Sequence, residues 1–384
     1  MTNPFRYRRC PLRASSWVAF FLLPFCLFQT EALSAGSLDL TFHDVGIGIG
    51  DSRTIHGLRL NYRDRRLREV NGIHVTLWSP HARSRGVVRG VALGLPVTGA
   101  ETLHGVGVGA LGIGAERDAN GILIGSLGVG AGERIRGLAF GGLGVGCGED
   151  LDGIAVGGLG GGCGGRSRGV VIAGLGVGAE GSVQGILVGG LGAGAGEDLE
   201  GLGFAGLGLG AGAAVHGLQI AGLGIGAGGA MTGIQIAGFG VGAGGATKGI
   251  QIAGLGVGAG TTMTGIQIGG IGVGAGEELR GINIAGVAAG SPRIAGLTLS
   301  GIVSGGVDIT GLTVTGAYCT VGKGGLLQGA SLCIFNRVQG KQEGFTLGVL
   351  NMARRLRGVQ IGLLNYAGDN PPWLRWLPLV NAHF

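Results

Sequence analysis

The chain has 384 residues, a formal net charge of +6 and 93 glycines, about a quarter of all its residues. Charged residues make up 13% and aromatic residues 5%, which excludes an ordinary α/β enzyme, a helical protein and a charged disordered chain, because glycine disfavours helices and disordered chains lack aliphatic residues. The nine prolines are too few for a collagen triple helix. The remaining class is an all-β protein built from repeats.

Residues 1–35 have the pattern of a signal peptide. Four arginines precede residue 14, an apolar run covers residues 17–28, and small residues occupy positions 32–35. The order of charged, apolar and small residues is typical of an exported chain, and the apolar run is too short to span a bilayer as a helix. We therefore expect cleavage within 32–35 and an extracellular or outer-membrane-associated protein.

Residues 36–104 form irregular repeats that carry a basic cluster. The predicted units begin at Asp39, Gly57, Gly72 and Gly86. The arginines of the cluster are Arg53, Arg59, Arg63, Arg65, Arg66, Arg68, Arg83, Arg85 and Arg89. We interpret the cluster as a charged end that prevents edge-to-edge stacking. An anionic surface is the alternative, whereas export argues against nucleic acid as a partner.

Residues 105–280 contain eleven consecutive units of 16 residues, each beginning with glycine. In the unit 233–248, which reads GIQIAGFGVGAGGATK, large apolar residues occupy positions 2, 4, 7 and 9, and in many units also position 15. A spacing of two predicts strands, and the step of three between positions 4 and 7 predicts a corner. We expect positions 7, 9 and 11 to face the core, with four to six aliphatic residues buried per unit.

One unit can bury its apolar residues only against copies of itself. Parallel coils stacked at about 4.8 Å per coil form a β-solenoid. The sequence therefore predicts a single all-β domain of about 21 coils with 14–19, mostly 16, residues each. In this register Cys147 and Cys163 both fall at position 11, so we expect them to lie in adjacent coils.

Two rows of amide side chains recur at fixed positions of the coils. Stacked amides hydrogen-bond along a parallel array, so we interpret both rows as structural ladders. The residues are Gln219, Gln235, Gln251, Gln267 and Asn283 at position 3, and Asn336, Asn351 and Asn365 at position 8.

Positions 8 and 10 are glycine in all eleven regular units, as at Gly240, Gly242, Gly256 and Gly258. Facing outwards, they make a strip without side chains. One interpretation is that glycine relieves crowding in a thin coil. The other is that the strip is a packing face through which the protein associates with itself or with a cell-envelope surface.

Residues 281–371 continue as irregular coils, and residues 372–384 form a tail. Residues 344–357 read GFTLGVLNMARRLR, residues 358–367 read GVQIGLLNYA, and the chain closes with NPPWLRWLPLVNAHF. This region of about 50 residues resembles a bacterial surface-repeat family with GVQIGLxN-type units and a proline–tryptophan–leucine tail. The 16-residue body departs from that pattern, having glycine where the family has asparagine. The resemblance implies an exported, surface-associated protein and supplies no catalytic residues.

The sequence predicts a non-enzymatic surface structural or adhesion element, with no catalytic residues, cofactor or metal site. One alternative is an outer-membrane β-barrel protein, favoured by the signal peptide and the terminal Phe384. A second alternative is a flat ligand- or ice-binding face, which rests on residues 298–300 and 313–315 with the sequences TLS and TVT.

Overall fold

Each strand of the regular repeat pairs in parallel with the same strand one unit further along the chain. In the computed structural model Gly233 lies opposite Gly249, and Gln235 lies opposite Gln251. The resulting fold is an all-β solenoid of about 19 turns of about 16 residues, with 74% strand. The predicted β-solenoid is confirmed, with about 19 turns in place of the predicted 21 or so.

The structure describes residues 36–79 and 86–384. The predicted signal peptide lies outside the described residues, as do Arg83 and Arg85 of the basic cluster. The chain divides into the units Met1–Gly36 and Ser37–Phe384, and the strands of the described residues belong to the second unit.

The strands before the regular two-strand pattern are β1 (Ser37–Phe42), β2 (Val45–Gly50), β3 (Thr54–Asn61), β4 (Glu69–Thr76), β5 (Val87–Gly94), β6 (Val97–Gly109) and β7 (Gly112–Gly125). A long and a short strand then alternate: β8 (Gly128–Ala131), β9 (Arg134–Gly141), β10 (Gly144–Cys147), β11 (Leu151–Gly157), β12 (Gly160–Cys163), β13 (Ser167–Ala173), β14 (Gly176–Ala179), β15 (Val183–Gly189), β16 (Gly192–Ala195), β17 (Leu199–Ala205), β18 (Gly208–Ala211), β19 (Val215–Ala221), β20 (Gly224–Ala227), β21 (Met231–Ala237), β22 (Gly240–Ala243), β23 (Thr247–Ala253), β24 (Gly256–Ala259), β25 (Thr262–Gly269), β26 (Gly272–Ala275), β27 (Glu278–Ala285) and β28 (Ala288–Gly290). The C-terminal coils contain β29 (Arg293–Ser300), β30 (Val303–Gly306), β31 (Asp308–Val321), β32 (Leu326–Leu347), β33 (Leu350–Ala367), a 3₁₀ helix (Pro372–Leu374) and β34 (Trp376–His383).

The glycine at position 1 bends the long strand of every regular coil. Gly233 has a φ of +112°, and a Cβ atom there would lie 2.2 Å from the carbonyl oxygen of Gly217 in the preceding coil. Both the backbone conformation and the close approach require glycine. This glycine therefore fixes the register between coils.

Two predicted unit starts in the N-terminal region are wrong. The residues that take the position-1 conformation there are Gly46 and Gly90, with φ of +151° and +125°, rather than Asp39 and Gly86. Gly72 pairs with Gly90. A unit begins where a glycine can adopt this bend, and spacing alone did not identify that glycine among several in irregular units.

The core of the coil is lined by positions 15, 3, 5, 9 and 11, which are mainly small or polar residues. In one coil these include Met231, Gln235, Ala237 and Val241, all buried. The expectation that position 7 faces the core is wrong, since Phe239 is 52% exposed. A coil of 16 residues encloses too narrow a space for every large aliphatic side chain, so those at the corner remain outside.

Each end of the solenoid is covered by an antiparallel strand. The strand β1 folds back on β2, and β34 folds back on β33. Within β34, Pro378 lacks an N–H donor and Leu379 has a φ of +67°. Both features make the exposed edge of β34 a poor template for a further strand.

Candidate functional site

The glutamines at position 3 form a hydrogen-bonded column inside the coil. All four side chains are fully buried. The Nε2 atom of Gln235 donates to Oε1 of Gln219 at 2.9 Å, and Gln251 donates to Gln235 at 2.9 Å. Gln267 continues the column by donating to Gln251 at 3.3 Å. The amides of this column hydrogen-bond to one another, and their side chains are not accessible to solvent.

The glutamine column stops where the side chain becomes shorter by one methylene group. Asn283 occupies the next inward position and donates to Thr298 Oγ1 at 3.5 Å. The Oε1 atom of Gln267 and the Oδ1 atom of Asn283 have no hydrogen-bond partner among the described residues. This junction leaves two buried acceptors without donors.

The asparagine column at position 8 of the C-terminal coils is also buried, and it runs into the terminal cap. Asn336 Nδ2 donates to Asn351 Oδ1 at 2.7 Å, and Asn351 Nδ2 donates to Asn365 Oδ1 at 2.7 Å. Asn365 Nδ2 then donates to the carbonyl oxygen of Leu377 in β34 at 3.3 Å. The column thus ties the capping strand to the last coils.

The glycines at positions 8 and 10 differ from the other glycines of the coil in what surrounds them. We define the glycine strip as these two rows from Gly112 and Gly114 to Gly272 and Gly274. A Cβ atom on Gly242 would meet nothing within 4 Å, and on Gly240, Gly256 and Gly258 it would lie 3.6–3.9 Å from the nearest atom. Crowding within the chain therefore does not require glycine at these four positions.

A row of exposed apolar side chains runs beside the glycine strip. We define the apolar ridge as the position-7 residues Leu111, Leu127, Leu143, Leu159, Leu175, Leu191, Leu207, Leu223, Phe239, Leu255 and Ile271. All except the half-buried Leu143 are between 41% and 52% exposed. Sequence reasoning assigned this row to the core because strand periodicity does not indicate which side of a corner faces inwards.

The hydroxyl residues of the second alternative do not form a surface. Thr298, Ser300, Thr313 and Thr315 are all buried, and Ser300 Oγ donates to Thr315 Oγ1 at 3.1 Å. Alternation along the strand directs these side chains into the coil, while the residues between them face out. The flat binding face therefore loses the residues on which it rested.

An ionic cluster fills the core of the first coils, where the sequence indicated only surface arginines. Arg59, Asp64 and His74 are fully buried. Arg59 Nη1 is bonded to Asp64, and the second Asp64 oxygen lies 3.0 Å from His74 Nε2. Arg59 also contacts Asp51 Oδ1 at 3.2 Å. Arg59 is therefore not part of the predicted charged surface.

The charges of this cluster act on the Asp64 carboxyl group. Burial alone would raise the pKa of Asp64, but the hydrogen bond and charge of His74, together with Arg59, hold that pKa well below its ordinary value. Arg59 and His74 are at position 3 of the units that begin at Gly57 and Gly72, the same inward column as the glutamines. That shared position was the sequence signal that could have identified the cluster.

Cys147 and Cys163 are direct partners in neighbouring parallel strands, as the repeat register predicts. Both are free thiols. The hydrogen bond between the two sulfur atoms, and then burial, raise the pKa of Cys147 above its ordinary value. The same hydrogen bond lowers the pKa of Cys163, so the pKa values of the two thiols are shifted in opposite directions.

Acidic residues at the polar corner also have structural partners. Asp150 Oδ1 accepts a hydrogen bond from the backbone N–H of Arg166 at 2.9 Å, and Asp198 Oδ1 accepts one from Ala214 at 2.9 Å. In both cases the donor lies one coil further along. These carboxylates hold the corners of adjacent coils together.

The described residues contain no group of three or more side chains arranged to hold a metal ion. In the same part of the chain, no helix has the length and apolar character needed to cross a membrane. The chain matches no protein-family model, no curated protein and no solved structure.

Proposed function

We propose that the chain is an exported, non-enzymatic structural or adhesion element of a bacterial surface. The observation that carries the proposal is the use made of the buried polar side chains. In the glutamine and asparagine columns, amides are bonded to neighbouring amides rather than directed into a cleft. Buried polar groups that hydrogen-bond from coil to coil favour a long and rigid stack.

The sequence outside the solenoid supports the location. The arginines before residue 14, the apolar run 17–28 and the small residues 32–35 favour export. The resemblance of the C-terminal units to a bacterial surface-repeat family favours the cell surface. The antiparallel cap strands support a solenoid that remains a discrete particle, because they cover the two ends of the parallel stack.

Export is tested by fusing the full chain to an alkaline phosphatase reporter, which is active only after leaving the cytoplasm. We expect phosphatase activity with the full chain and none after deletion of residues 1–35. A matched control replaces three residues of the apolar run 17–28 with aspartate and keeps the length. Equal activity of all three fusions would contradict export.

Surface exposure requires a separate measurement. An epitope inserted after Gly245, at the polar corner of a regular coil, should be labelled by antibody on intact cells. The same epitope after residue 14 serves as the control, because it would be removed with the signal peptide. Labelling that requires cell lysis would contradict a surface location.

A further inference from the structure

The apolar ridge is an exposed hydrophobic surface that no other described residue covers. Its side chains follow one another in eleven successive coils, and ten of them are at least 41% exposed. Eleven coils at about 4.8 Å per coil extend for roughly 50 Å along the solenoid. Soluble monomers rarely expose contiguous apolar patches larger than a few hundred Å². A continuous row of this length indicates an interaction surface.

The glycine strip lies immediately beside the ridge in every regular coil. From Gly208 to Gly274 an added Cβ atom would be at least 3.4 Å from any neighbouring atom. By contrast, Gly238 at the adjacent corner would place a Cβ atom 2.1 Å from the Gly222 carbonyl oxygen. From Gly208 to Gly274 the strip is thus an open surface beside the ridge, whereas an added Cβ atom on Gly162 would lie 2.5 Å from the Gly178 carbonyl oxygen.

We propose that the ridge and the strip together form a self-complementary surface by which two copies of this chain associate side by side. A two-fold axis between ridge and strip places the ridge of each copy over the strip of the other. Such an isologous contact closes on itself and requires only one kind of surface. The inference does not depend on the proposed export.

The repeat spacing favours a second copy over other occupants. A row of side chains spaced by the coil distance meets a matching row in every coil only if the partner has the same spacing. Positions 7 to 10, which carry the ridge and the strip, span about 14 Å at roughly 3.4 Å per residue. Over a length of roughly 50 Å this band covers on the order of 700 Å², close to the approximately 800 Å² that each partner buries in a standard interface. The area therefore suffices for a specific dimer.

Charge also favours a second copy over a membrane. Neither the ridge nor the strip contains a charged residue, so association would desolvate no charge there. The outward row at position 16 carries both signs, including Arg136, Asp152, Glu200 and Lys248. A mixed row does not provide the uniformly basic border that attracts anionic lipids.

The ridge is tested by sedimentation equilibrium of the full chain and of a double variant, Leu207→Glu with Leu255→Glu. The matched control, Ala213→Glu with Thr261→Glu, places two glutamates in the same coils at position 13. That corner carries glutamate in other coils, at Glu149 and elsewhere. We expect a dimer for wild type and control, and at least a tenfold weaker association for the ridge variant.

The strip is tested by Gly226→Val with Gly242→Val, two positions where a Cβ atom meets nothing within 4 Å. These valines make the surface more apolar but fill the space that the partner ridge would occupy. We expect unchanged circular dichroism and weaker association. Stronger association would show that hydrophobicity alone drives contact, and it would overturn the complementary packing.

Three further outcomes would overturn the proposal. A wild-type chain that stays monomeric at about 100 μM has no dimer of useful affinity. A monomeric chain that binds neutral phosphatidylcholine vesicles, with binding lost in the ridge variant, would assign the ridge to lipid instead. Equal effects of the ridge and control variants would place the dimer contact elsewhere.

Discussion

The Nε2 atom of Gln251 donates to the Oε1 atom of Gln235 at 2.9 Å, with both side chains fully enclosed in the coil. Gln235 and Gln251, the two inner members of the column, each donate to one neighbouring glutamine and accept from the other. Removal of either inner member therefore leaves two buried polar atoms without partners. The column gives the narrow core its specific register between coils.

Replacing Gln251 with leucine should lower the free energy of unfolding by about 2 kcal/mol or more, because Gln235 Oε1 loses its donor and Gln267 Nε2 loses its acceptor. Denaturant unfolding monitored by circular dichroism measures this change. The control is Gln184→Leu, an exposed glutamine at position 16, which should stay within about 0.5 kcal/mol of wild type. Equal effects of the two substitutions would show that a glutamine of the column contributes no more to stability than an exposed glutamine does.

Replacing Asn283 with glutamine should stabilise the protein. The longer side chain extends the column by one step and supplies a donor to Gln267 Oε1, which has no partner among the described residues. The coil offers room, since position 9 is Ala289 there and valine in the preceding coil. We expect a gain of about 1 kcal/mol in the same unfolding assay. A loss of stability would mean that the glutamine does not join the column.

The buried Asp64 predicts a specific dependence of stability on pH. Because its pKa is lowered on folding, its contribution is complete above the unfolded pKa of about 3.9 and is lost as the pH falls towards the folded value. Asp64→Asn should therefore reduce stability at neutral pH and flatten the decline of melting temperature between about pH 5 and pH 2. The surface change Asp152→Asn is the control. An unchanged acid limb in Asp64→Asn would contradict the role of this cluster.

Two glycines of one coil should respond oppositely to alanine. Gly233→Ala combines a φ of +112° with a Cβ atom 2.2 Å from a backbone oxygen, so we expect a loss of several kcal/mol or failure to fold. Gly242→Ala places its Cβ atom in open space and should be neutral or slightly stabilising, because alanine has fewer unfolded conformations. The melting temperatures of the two variants, each compared with wild type, measure this difference. Similar losses at both sites would show that the strip is structurally required.

Deletion of the unit 233–248 should preserve the fold, because Thr232 would then precede Gly249 in the same register as before. The solenoid should shorten by about 4.8 Å, one coil step, in small-angle scattering. Deletion of 241–248 alone should abolish cooperative unfolding, since it joins a corner to a strand out of register. A similar response to both deletions would exclude the 16-residue coil as the unit of folding.

Much of the architecture could be predicted from the repeat. The period of 16 residues implies parallel coils, and the recurrence of glutamine or asparagine at one position implies that those side chains are neighbours. The register of Cys147 with Cys163 follows from the same period. In the irregular N-terminal units the period fails, and there the starts at Gly46 and Gly90 emerged only from the backbone conformation.

The sequence by itself determined that this protein is a stack of coils and which residues stand above one another, because a strict period fixes neighbours in a parallel array. The inward direction of positions 9 and 11 was also predicted, but only the tertiary structure decided that positions 3 and 5 face inwards and that position 7 does not. Alternating side chains define the two faces of a strand but do not show which face is buried. In this protein both faces carry apolar residues. The coil is too narrow for all the apolar side chains of a unit, so the leucines at position 7 remain outside as a ridge while others, such as Leu187 and Leu199, are buried. Arg59, Asp64 and His74 also lie within the coil.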